Sequence, residues 1–165
     1  MDIGSGYTLS RYRREDTKQL IKHLSNPRIS ENLREPPFPY TQKDADWWLD
    51  FLEDERTSNP LQSSLRWTIR DKELIGDISL RENNGYFLGY WLADEYWGKG
   101  IMTRAVSAVL QVAAARGIKK ITADVREGNW GSRKVLEKNG FTFEGEGEGK
   151  MRGPAKLWYF NYETR

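Results

Sequence analysis

The chain of 165 residues contains no cysteine and a single histidine, His23. A disulfide framework, a thiolate zinc site and a cysteine nucleophile are therefore excluded. His23 falls in a predicted helix far from the motifs that carry chemistry, so a serine–histidine catalytic pair is not expected either. We predict that His23 is a half-exposed helix residue, and we expect no metal site.

Long apolar runs are also missing, since no stretch approaches the roughly 20 residues that a membrane helix needs. Residues 1–16, MDIGSGYTLSRYRRED, lack the apolar core of a signal peptide. Charge is nearly balanced, because 26 lysines and arginines face 24 aspartates and glutamates. A nucleic-acid binder needs a one-signed field. We therefore expect a cytoplasmic protein whose partners include neither nucleic acid nor a membrane.

What is present fits one folded domain. Hydrophobic residues make up 38% of the chain and charged residues 30%, and a chain of this length can bury a real core. No repeat, linker or change of composition marks a boundary. Residues 1–165 are therefore predicted to form a single domain, with a core of residues 7–162.

The apolar periodicity predicts a strand, two helices, three antiparallel strands, a helix, a strand, a helix and two final strands. Thr41 is predicted to cap the second helix, with Asp44 completing a capping box. The later strand–helix–strand segment can form a parallel crossover, so the predicted fold class is mixed α/β. The run EGEGEG, residues 144–149, is predicted to be a mobile hairpin turn.

The segment EYWGKGIMTRAV, residues 95–106, places two glycines directly before a helix-forming run. Gly98 and Gly100 have the spacing of neither a P-loop nor a dinucleotide fingerprint, but they let the backbone approach a ligand closely. The free N–H groups and partial positive charge of the helix start favour a phosphate or pyrophosphate, and Lys99 adds a full charge. On this segment alone, an ordinary strand-to-helix turn is an equal alternative.

A second segment, NWGSRKVLEKNGF at residues 129–141, begins with asparagine at a strand end and finishes in Gly-Phe. The pairing of WGKGIMTRAV with N-x-x-S-x-x-V-L-E-K-x-G-F resembles the GCN5-related N-acetyltransferase (GNAT) superfamily. The resemblance extends from Tyr7 to Tyr162. It is closest to the branch of ribosomal-protein N-terminal acetyltransferases (RimJ/RimL-like), which PFPYT before the second helix also resembles.

The resemblance implies a fold and a cosubstrate. The fold is a central, mostly antiparallel twisted sheet with one splayed parallel strand pair, flanked by about four helices. The cosubstrate is acetyl-CoA. Its pyrophosphate would lie on the amides of residues 98–103, its pantetheine arm along Tyr90 to Leu92, and its thioester oxygen on the N–H of Leu92. The residues that the resemblance assigns to acetyl-CoA are Tyr90, Trp91, Leu92, Gly98, Lys99, Gly100, Ile101, Met102, Thr103 and Asn129.

Three positions depart from the pattern of the superfamily. Trp97 replaces a Gln or Arg, and Met102 replaces a small residue; neither is expected to abolish binding, because backbone amides hold the pyrophosphate. Leu136 stands where many members carry the Tyr that protonates the CoA thiolate. In the ribosomal-protein branch a Ser three residues after the Asn is the proposed substitute, which is Ser132 here. A helix residue that only caps is an equal alternative for Ser132.

Direct transfer of the acetyl group, without a covalent enzyme intermediate, suits a chain that has no cysteine and whose one histidine lies far from the motifs. The acceptor amine must lose a proton, the carbonyl must be polarised and the thiolate must be protonated. The resemblance favours Asp124 as the base, because some members carry an acidic residue at this strand position. A solvent-facing Asp124 is an alternative, as are Asp77 or Glu82 as the base, or a water chain to a distant carboxylate.

The first half of the chain is expected to build the site for the acceptor, a peptide N-terminus or a small-molecule amine. Six aromatic residues could form its wall or belong to the hydrophobic core, and four acidic residues could attract a cationic amine or simply face solvent. The aromatic residues are Phe38, Tyr40, Trp47, Trp48, Trp67 and Tyr90, and the acidic residues are Asp44, Asp46, Asp50 and Glu53. A CoA-binding sensor without catalysis and a nucleotide-binding regulator are alternative functions. Monomer and homodimer are both compatible with the sequence.

Overall fold

The computed structural model describes residues 1–82 and 84–164. Its strands are β1 (Thr8–Ser10), β2 (Arg66–Arg70), β3 (Leu74–Glu82), β4 (Tyr86–Leu92), β5 (Lys120–Arg126), β6 (Thr142–Lys150) and β7 (Pro154–Glu163). They form one sheet in the order β1-β2-β3-β4-β5-β7-β6. Its α-helices are α1 (Thr17–Leu24), α2 (Pro27–Ser30), α3 (Gln42–Ser58), α4 (Pro60–Ser63), α5 (Ile101–Ala115) and α6 (Trp130–Lys138).

This architecture confirms the predicted mixed α/β fold. The four predicted helices correspond to α1, α3, α5 and α6, and Thr41 with Asp44 forms the predicted capping box at the start of α3. The two four-residue helices α2 and α4 were not predicted. Each begins with a proline directly after a capping asparagine, Asn26 for α2 and Asn59 for α4. Proline fits the first helical position because its N–H would have no partner there.

The pairing of β4 with β5 creates the main irregularity of the sheet. The other strand pairs are antiparallel, whereas β4 and β5 run parallel and are paired only at Tyr86 with Ile121 and at Phe87 with Thr122. Beyond Phe87 the two strands diverge, although β4 continues to Leu92 along β3. The predicted splayed parallel pair is therefore confirmed.

Helices cover both faces of the sheet. On one face, α5 and α6 pack on the larger core, and the predicted stripe of α5 is buried there: Ala105, Val106, Val109, Leu110 and Ala113. On the other face, α1 and α3 pack on a smaller core that includes Leu20, Leu49 and Trp91. The space between α1, α3 and the splayed strands is therefore bounded by two separate hydrophobic clusters.

Two expectations about individual segments are wrong. His23 is only 4% exposed, because α1 lays it against the ring of Trp91 in the smaller core. Residues 144–149 lie within β6 and are not a hairpin turn, since β6 pairs with β7 up to Lys150. The alternating glycines make room for side chains of β7, because a Cβ at Gly147 would lie 3.3 Å from the ring of Tyr159.

A buried ion pair joins the first strands to the segment before α1. Arg70 is 4% exposed and Asp16 2% exposed, and both terminal nitrogens of Arg70 donate to the Asp16 carboxylate at 2.7 and 2.5 Å. Arg70 also donates to the hydroxyl of Ser10 and the carbonyl of Arg11. Such a bidentate pair fixes orientation, and its disruption leaves a charge buried without a partner.

Replacing Arg70 with methionine should destabilise the protein by about 3–5 kcal/mol, because Asp16 then stays buried without its cation. The measurement is urea unfolding at equilibrium. The control is Lys22→Met, which removes an exposed pair with Glu95 and should cost less than about 1 kcal/mol. If the free energy of unfolding of Arg70→Met lies within about 1 kcal/mol of that of the parent, the ion pair does not stabilise the contact between the first strands and the segment before α1.

Candidate active site

A cavity of about 1130 Å³ runs from the splayed strands to α1 and α3. One end is lined by the divergent halves of β4 and β5, the start of α5 and the first turns of α6. The other end is lined by aromatic side chains from α3 and the segment before it. A single cavity therefore connects the predicted cosubstrate groove with the predicted acceptor side.

The backbone of β4 offers hydrogen bonds to this cavity. The N–H of Ala93 donates to the carbonyl of Ile75 on the β3 side at 2.8 Å. Backbone groups of an antiparallel strand alternate in direction, so Leu92 and Tyr90 direct their N–H and C=O groups towards β5. Because β5 has diverged here, these groups face the cavity. Within residues 1–82 and 84–164, the N–H of Leu92 and both backbone groups of Tyr90 are free to pair with an extended ligand, whereas the C=O of Leu92 accepts a hydrogen bond from the indole N–H of Trp97.

The glycine loop has the backbone form that its sequence predicts. Gly98 and Gly100 have φ of 75° and 71°, in the left-handed region that favours glycine. Gly100 is the N-cap of the fifteen-residue helix α5 and offers no side chain to its first N–H groups. The N-terminal end of α5 therefore presents to the cavity a partial positive charge and N–H groups that have no acceptor in the described part of the chain, as an anion site requires.

Two residues of this loop differ from expectation: Trp97 departs from the superfamily pattern, and the charge of Lys99 is not where the sequence led us to expect it. The indole N–H of Trp97 donates to the carbonyl of Leu92 at 2.8 Å, which ties the loop to the end of β4. Arg28 lies 5.0 Å from the Trp97 ring and pairs with Asp94 at 2.8 Å, so α2 brings a cation to this end of the cavity. The ammonium of Lys99 lies over the Tyr96 ring, and Lys99 does not line the cavity.

Asn129 has a cap position at the start of α6. Its Oδ1 accepts a hydrogen bond from the N–H of Ser132 at 3.2 Å. Among the described residues, its amide NH₂ group donates to no protein acceptor. Because Asn129 lines the cavity, the amide NH₂ is available to a ligand that lies along the groove.

Ser132 and Tyr90 form a hydroxyl pair in the groove. The hydroxyl of Ser132 donates to the phenol oxygen of Tyr90 at 2.8 Å, and the phenol donates to the Ser132 carbonyl at 3.2 Å. Burial raises the pKa of the Tyr90 phenol well above its ordinary value, so the phenol keeps its proton. Leu136 is fully buried in the larger core, and a tyrosine at that position would overpack the core.

Asp124 and Asp77 line the same cavity in different environments. Asp124 forms an ion pair with Arg34 from the segment before α3. Asp77, on β3, accepts a hydrogen bond of 2.6 Å from the phenol of Tyr12. Burial raises the pKa of Asp77 to about 6, although the Tyr12 hydrogen bond opposes the shift. Glu82 is exposed at the end of β3 and does not line the cavity.

The predicted acceptor wall is only partly present. Tyr40, Trp47, Trp48 and Tyr90 line the cavity. Phe38 instead stacks under the guanidinium of Arg152, and Trp67 packs against the larger core. Of the four acidic residues predicted for the acceptor side, all on α3, Asp44 lines the cavity, while Asp50 and Glu53 pair with Arg14 outside it and Asp46 accepts a hydrogen bond from Gln42.

Sequence reasoning missed Tyr12, Arg28 and the hydroxyl of Tyr90 as groups of this cavity. Tyr12 and Arg28 lie in the first thirty residues, where no motif marks a site. For Tyr90 a signal was available, because it stands two residues before Leu92 on a strand whose alternate residues share a side.

Within residues 1–82 and 84–164, no group of three or more His, Cys, Asp or Glu residues could hold a metal ion. Within the same residues, no helix has both the length and the apolar character to cross a bilayer.

Comparisons with known proteins agree with this geometry. Residues 7–142 match the family described as the acetyltransferase (GNAT) domain. A probable N-acetyltransferase of Bacillus subtilis (strain 168), YjcK, is 41% identical over 85 residues, which cover 48% of this chain and 47% of that protein. The chain thus spans about half of the length of this relative. The ribosomal-protein-serine acetyltransferase of Escherichia coli (strain K12) is 26% identical over 152 residues, covering 79% of this chain and 85% of the relative.

Solved structures share the same fold. The RimL ribosomal L7/L12 alpha-N-protein acetyltransferase, solved in complex with coenzyme A, superposes with a TM-score of 0.81 at 20% identity. The match covers 98% of this chain and 96% of that one. The family match spans most of the chain, and the splayed strands and the glycine loop lie together in one cavity. This protein belongs to the GNAT acetyltransferase family.

Proposed function

We propose that the protein is an N-acetyltransferase that transfers the acetyl group of acetyl-CoA directly to a primary amine. The observation that carries this proposal is the single cavity in which the divergent β4 backbone, the uncapped start of α5 and the Ser132–Tyr90 hydroxyl pair meet. These three features supply a hydrogen-bonding edge, an anion site and a proton donor along one groove.

The residues present fit acetyl-CoA from its phosphates to its thioester. The amides of residues 98–103 would hold the pyrophosphate, with the guanidinium of Arg28 supplying a charge that Trp97 does not. The free backbone groups of Tyr90 and the amide of Asn129 would pair with the pantetheine arm. The N–H of Leu92 would then polarise the thioester carbonyl as an oxyanion donor.

Two proton transfers accompany the acyl transfer. The acceptor's ammonium loses one proton to a base, and the amine lone pair then forms the C–N bond at the carbonyl carbon. The C–S bond breaks with its electron pair on sulfur. The Ser132 hydroxyl, held by Tyr90, delivers its proton to the thiolate and is reprotonated by the second surplus proton that the nitrogen loses. The products are the N-acetyl amine, free CoA and one proton released to solvent.

We propose a peptide N-terminus ahead of a small amine as the acceptor. Two similar proteins bear names of ribosomal-protein acetyltransferases. The indole of Trp47 lines the cavity, is 65% exposed and stacks on Phe51, so an apolar strip leads from the cavity onto the surface. A polypeptide could continue along this strip, which a small amine has no atoms to reach. The discriminating experiment is release of free thiol from acetyl-CoA across a panel of N-terminal peptides and small amines.

Gly100→Val should weaken acetyl-CoA binding while the fold is kept. Valine adds a side chain at a φ of 71°, and that side chain would stand where backbone must approach the pyrophosphate. The measurement is calorimetric titration with acetyl-CoA. Gly117→Val is the matched control, because Gly117 has a φ of 70° but lies outside the cavity. It should lose stability and keep its affinity. Equal affinities of Gly100→Val and the parent would refute this position for the pyrophosphate.

Asn129→Asp should raise the KM for acetyl-CoA with little change in kcat. The carboxylate keeps the oxygen that caps α6 and removes the NH₂ group that faces the groove, so the variant separates binding from helix capping. An interaction made equally in ground and transition states appears in KM. Steady-state kinetics decides the matter, and a lower kcat at unchanged KM would make Asn129 a catalytic residue instead.

Ser132→Ala should lower kcat about 10²-fold or more, the usual range for a general acid, while the affinity for acetyl-CoA stays near that of the parent. The fold should tolerate the change, because the cap of α6 uses the backbone N–H of Ser132. Ser107→Ala, on the exposed side of α5, is the control for a helix serine outside the cavity. If Ser132→Ala keeps the parental kcat at saturating substrates, the hydroxyl is not the proton donor.

A further inference from the structure

We propose that Asp77, held by Tyr12, is the group that binds the acceptor's ammonium and takes its first proton. This inference rests on the proposed N-acetyltransferase function and names the acceptor side of the same site. In it, Asp77 is a catalytic residue and Tyr12 is a positioning residue.

The first support is the position of Asp77 in the sheet. Asp77 lies on β3 directly opposite Trp91 of β4, next to Leu92, whose N–H faces the groove. Asp77 lies on the same side of β3 as Ser79 and Arg81, and all three line the cavity. The carboxylate is therefore on the acceptor side of the cavity. Its residue pairs with Trp91, which directly precedes the proposed oxyanion donor Leu92.

The second support is that the other acidic side chains of the cavity are already occupied. Glu35 pairs with Arg81 at 2.8 Å, and Asp124 pairs with Arg34. Asp44 caps α3 through Thr41. Among the described residues that line the cavity, Asp77 is the one carboxylate with neither a cation nor a cap on it, so a bound ammonium could pair with it.

The third support is the arrangement of the carboxylate itself. Tyr12 donates to Oδ2 at 2.6 Å, and Oδ1 accepts no hydrogen bond from residues 1–82 or 84–164. Oδ1 is therefore open to an N–H of the acceptor. The ring of Tyr12 packs edge-on against Trp48 at 6.2 Å between centroids, which fixes the phenol. One oxygen is held by the protein while the other is left for the substrate.

The charged and titratable groups that face Asp77 do not hold it in one protonation state across the working pH range. They come from the segment before α1, the loop before α3, β2 and β3: Tyr12, Tyr40, Arg66 and Arg81. Both arginines have carboxylate partners of their own, Glu55 for Arg66 and Glu35 for Arg81. Burial raises the pKa of Asp77 to about 6, while a peptide α-amino group has a pKa of about 8. Between these values Asp77 is a carboxylate and the acceptor is an ammonium, the pair of states that binding requires.

The proton balance follows from this pairing. The ammonium gives one proton to Oδ1 of Asp77, so a neutral amine and a carboxylic acid result. The amine then attacks the thioester as described above, and Asp77 returns its proton to solvent after the product leaves. No oxidant, reductant or metal takes part in this step.

The test is the pH dependence of kcat/KM for the best acceptor of the amine panel. The parent should show an acid limb near pH 6, because Asp77 must be ionised. Asp77→Asn should lose this limb and lower kcat/KM about 10²-fold or more, with acetyl-CoA affinity unchanged. Tyr12→Phe should move the limb to higher pH, because it removes the hydrogen bond that lowers the pKa of Asp77. Asp124→Asn is the rival variant and should keep the limb.

A binding arm separates this inference from the proposed function, because it needs no turnover. Calorimetry in the presence of CoA measures the affinity for a pentapeptide with a free N-terminus and for the same pentapeptide with an acetylated N-terminus. The parent should prefer the free amine, and Asp77→Asn should lose this preference. An acid limb that survives in Asp77→Asn, or that disappears in Asp124→Asn, would overturn the assignment. A parent that binds the free amine selectively but releases no thiol would contradict the proposed function and leave Asp77 as the ammonium site.

Discussion

The divergence of β4 from β5 is the constraint on which the site depends. A parallel pair that stayed hydrogen-bonded would use the backbone groups of Tyr90 and Leu92 within the sheet. Because pairing ends after Phe87, these groups face a cavity, where the N–H of Leu92 and both backbone groups of Tyr90 keep their hydrogen-bonding capacity. Their exposure is tolerable because β4 remains paired with β3 along its whole length, so the strand is fixed while one edge stays open. The N-terminus of α5 and the first turn of α6 meet this open edge, and the site follows from that meeting.

The two halves of the cavity offer different kinds of groups to a ligand, backbone groups in one half and side chains in the other. In the proposed cosubstrate half, the binding groups are backbone N–H and C=O groups, which do not change with side-chain identity. Under this proposal Trp97 and Met102 can depart from the superfamily pattern and leave the proposed anion site in place. The acceptor half relies on side chains, and most of its charges are already paired within the protein. Burying a carboxylate without a cation, as at Asp77, costs free energy. The proposed role of Asp77 in binding the acceptor's ammonium would account for a carboxylate at this position. The same cost raises its pKa towards the range in which a base can work.

Many helices and strands, and the glycine loop before α5, could be predicted from local signals in the sequence, whereas the splayed pair and the groups proposed for acetyl-CoA were implied by the resemblance to the superfamily. The capping box at Thr41, the stripe of α5 and the glycines before that helix are read from neighbouring residues. The acceptor half could not be predicted in the same way. Tyr12 reaches Asp77 across 65 positions of the chain, and the pairing of Arg34 with Asp124 spans 90. The burial of His23 and the strand at residues 144–149 were missed because tertiary contacts, with Trp91 and with β7, decide them.

The central claim is that the thioester lies in the splay with its carbonyl on Leu92. The most direct test is a crystal structure of the complex with acetyl-CoA. We predict that the carbonyl oxygen lies about 2.7–3.1 Å from the backbone nitrogen of Leu92, with the pyrophosphate on residues 98–103. Acetyl-CoA bound outside the β4–β5 gap, or inside it with the carbonyl turned away from Leu92, would contradict the account.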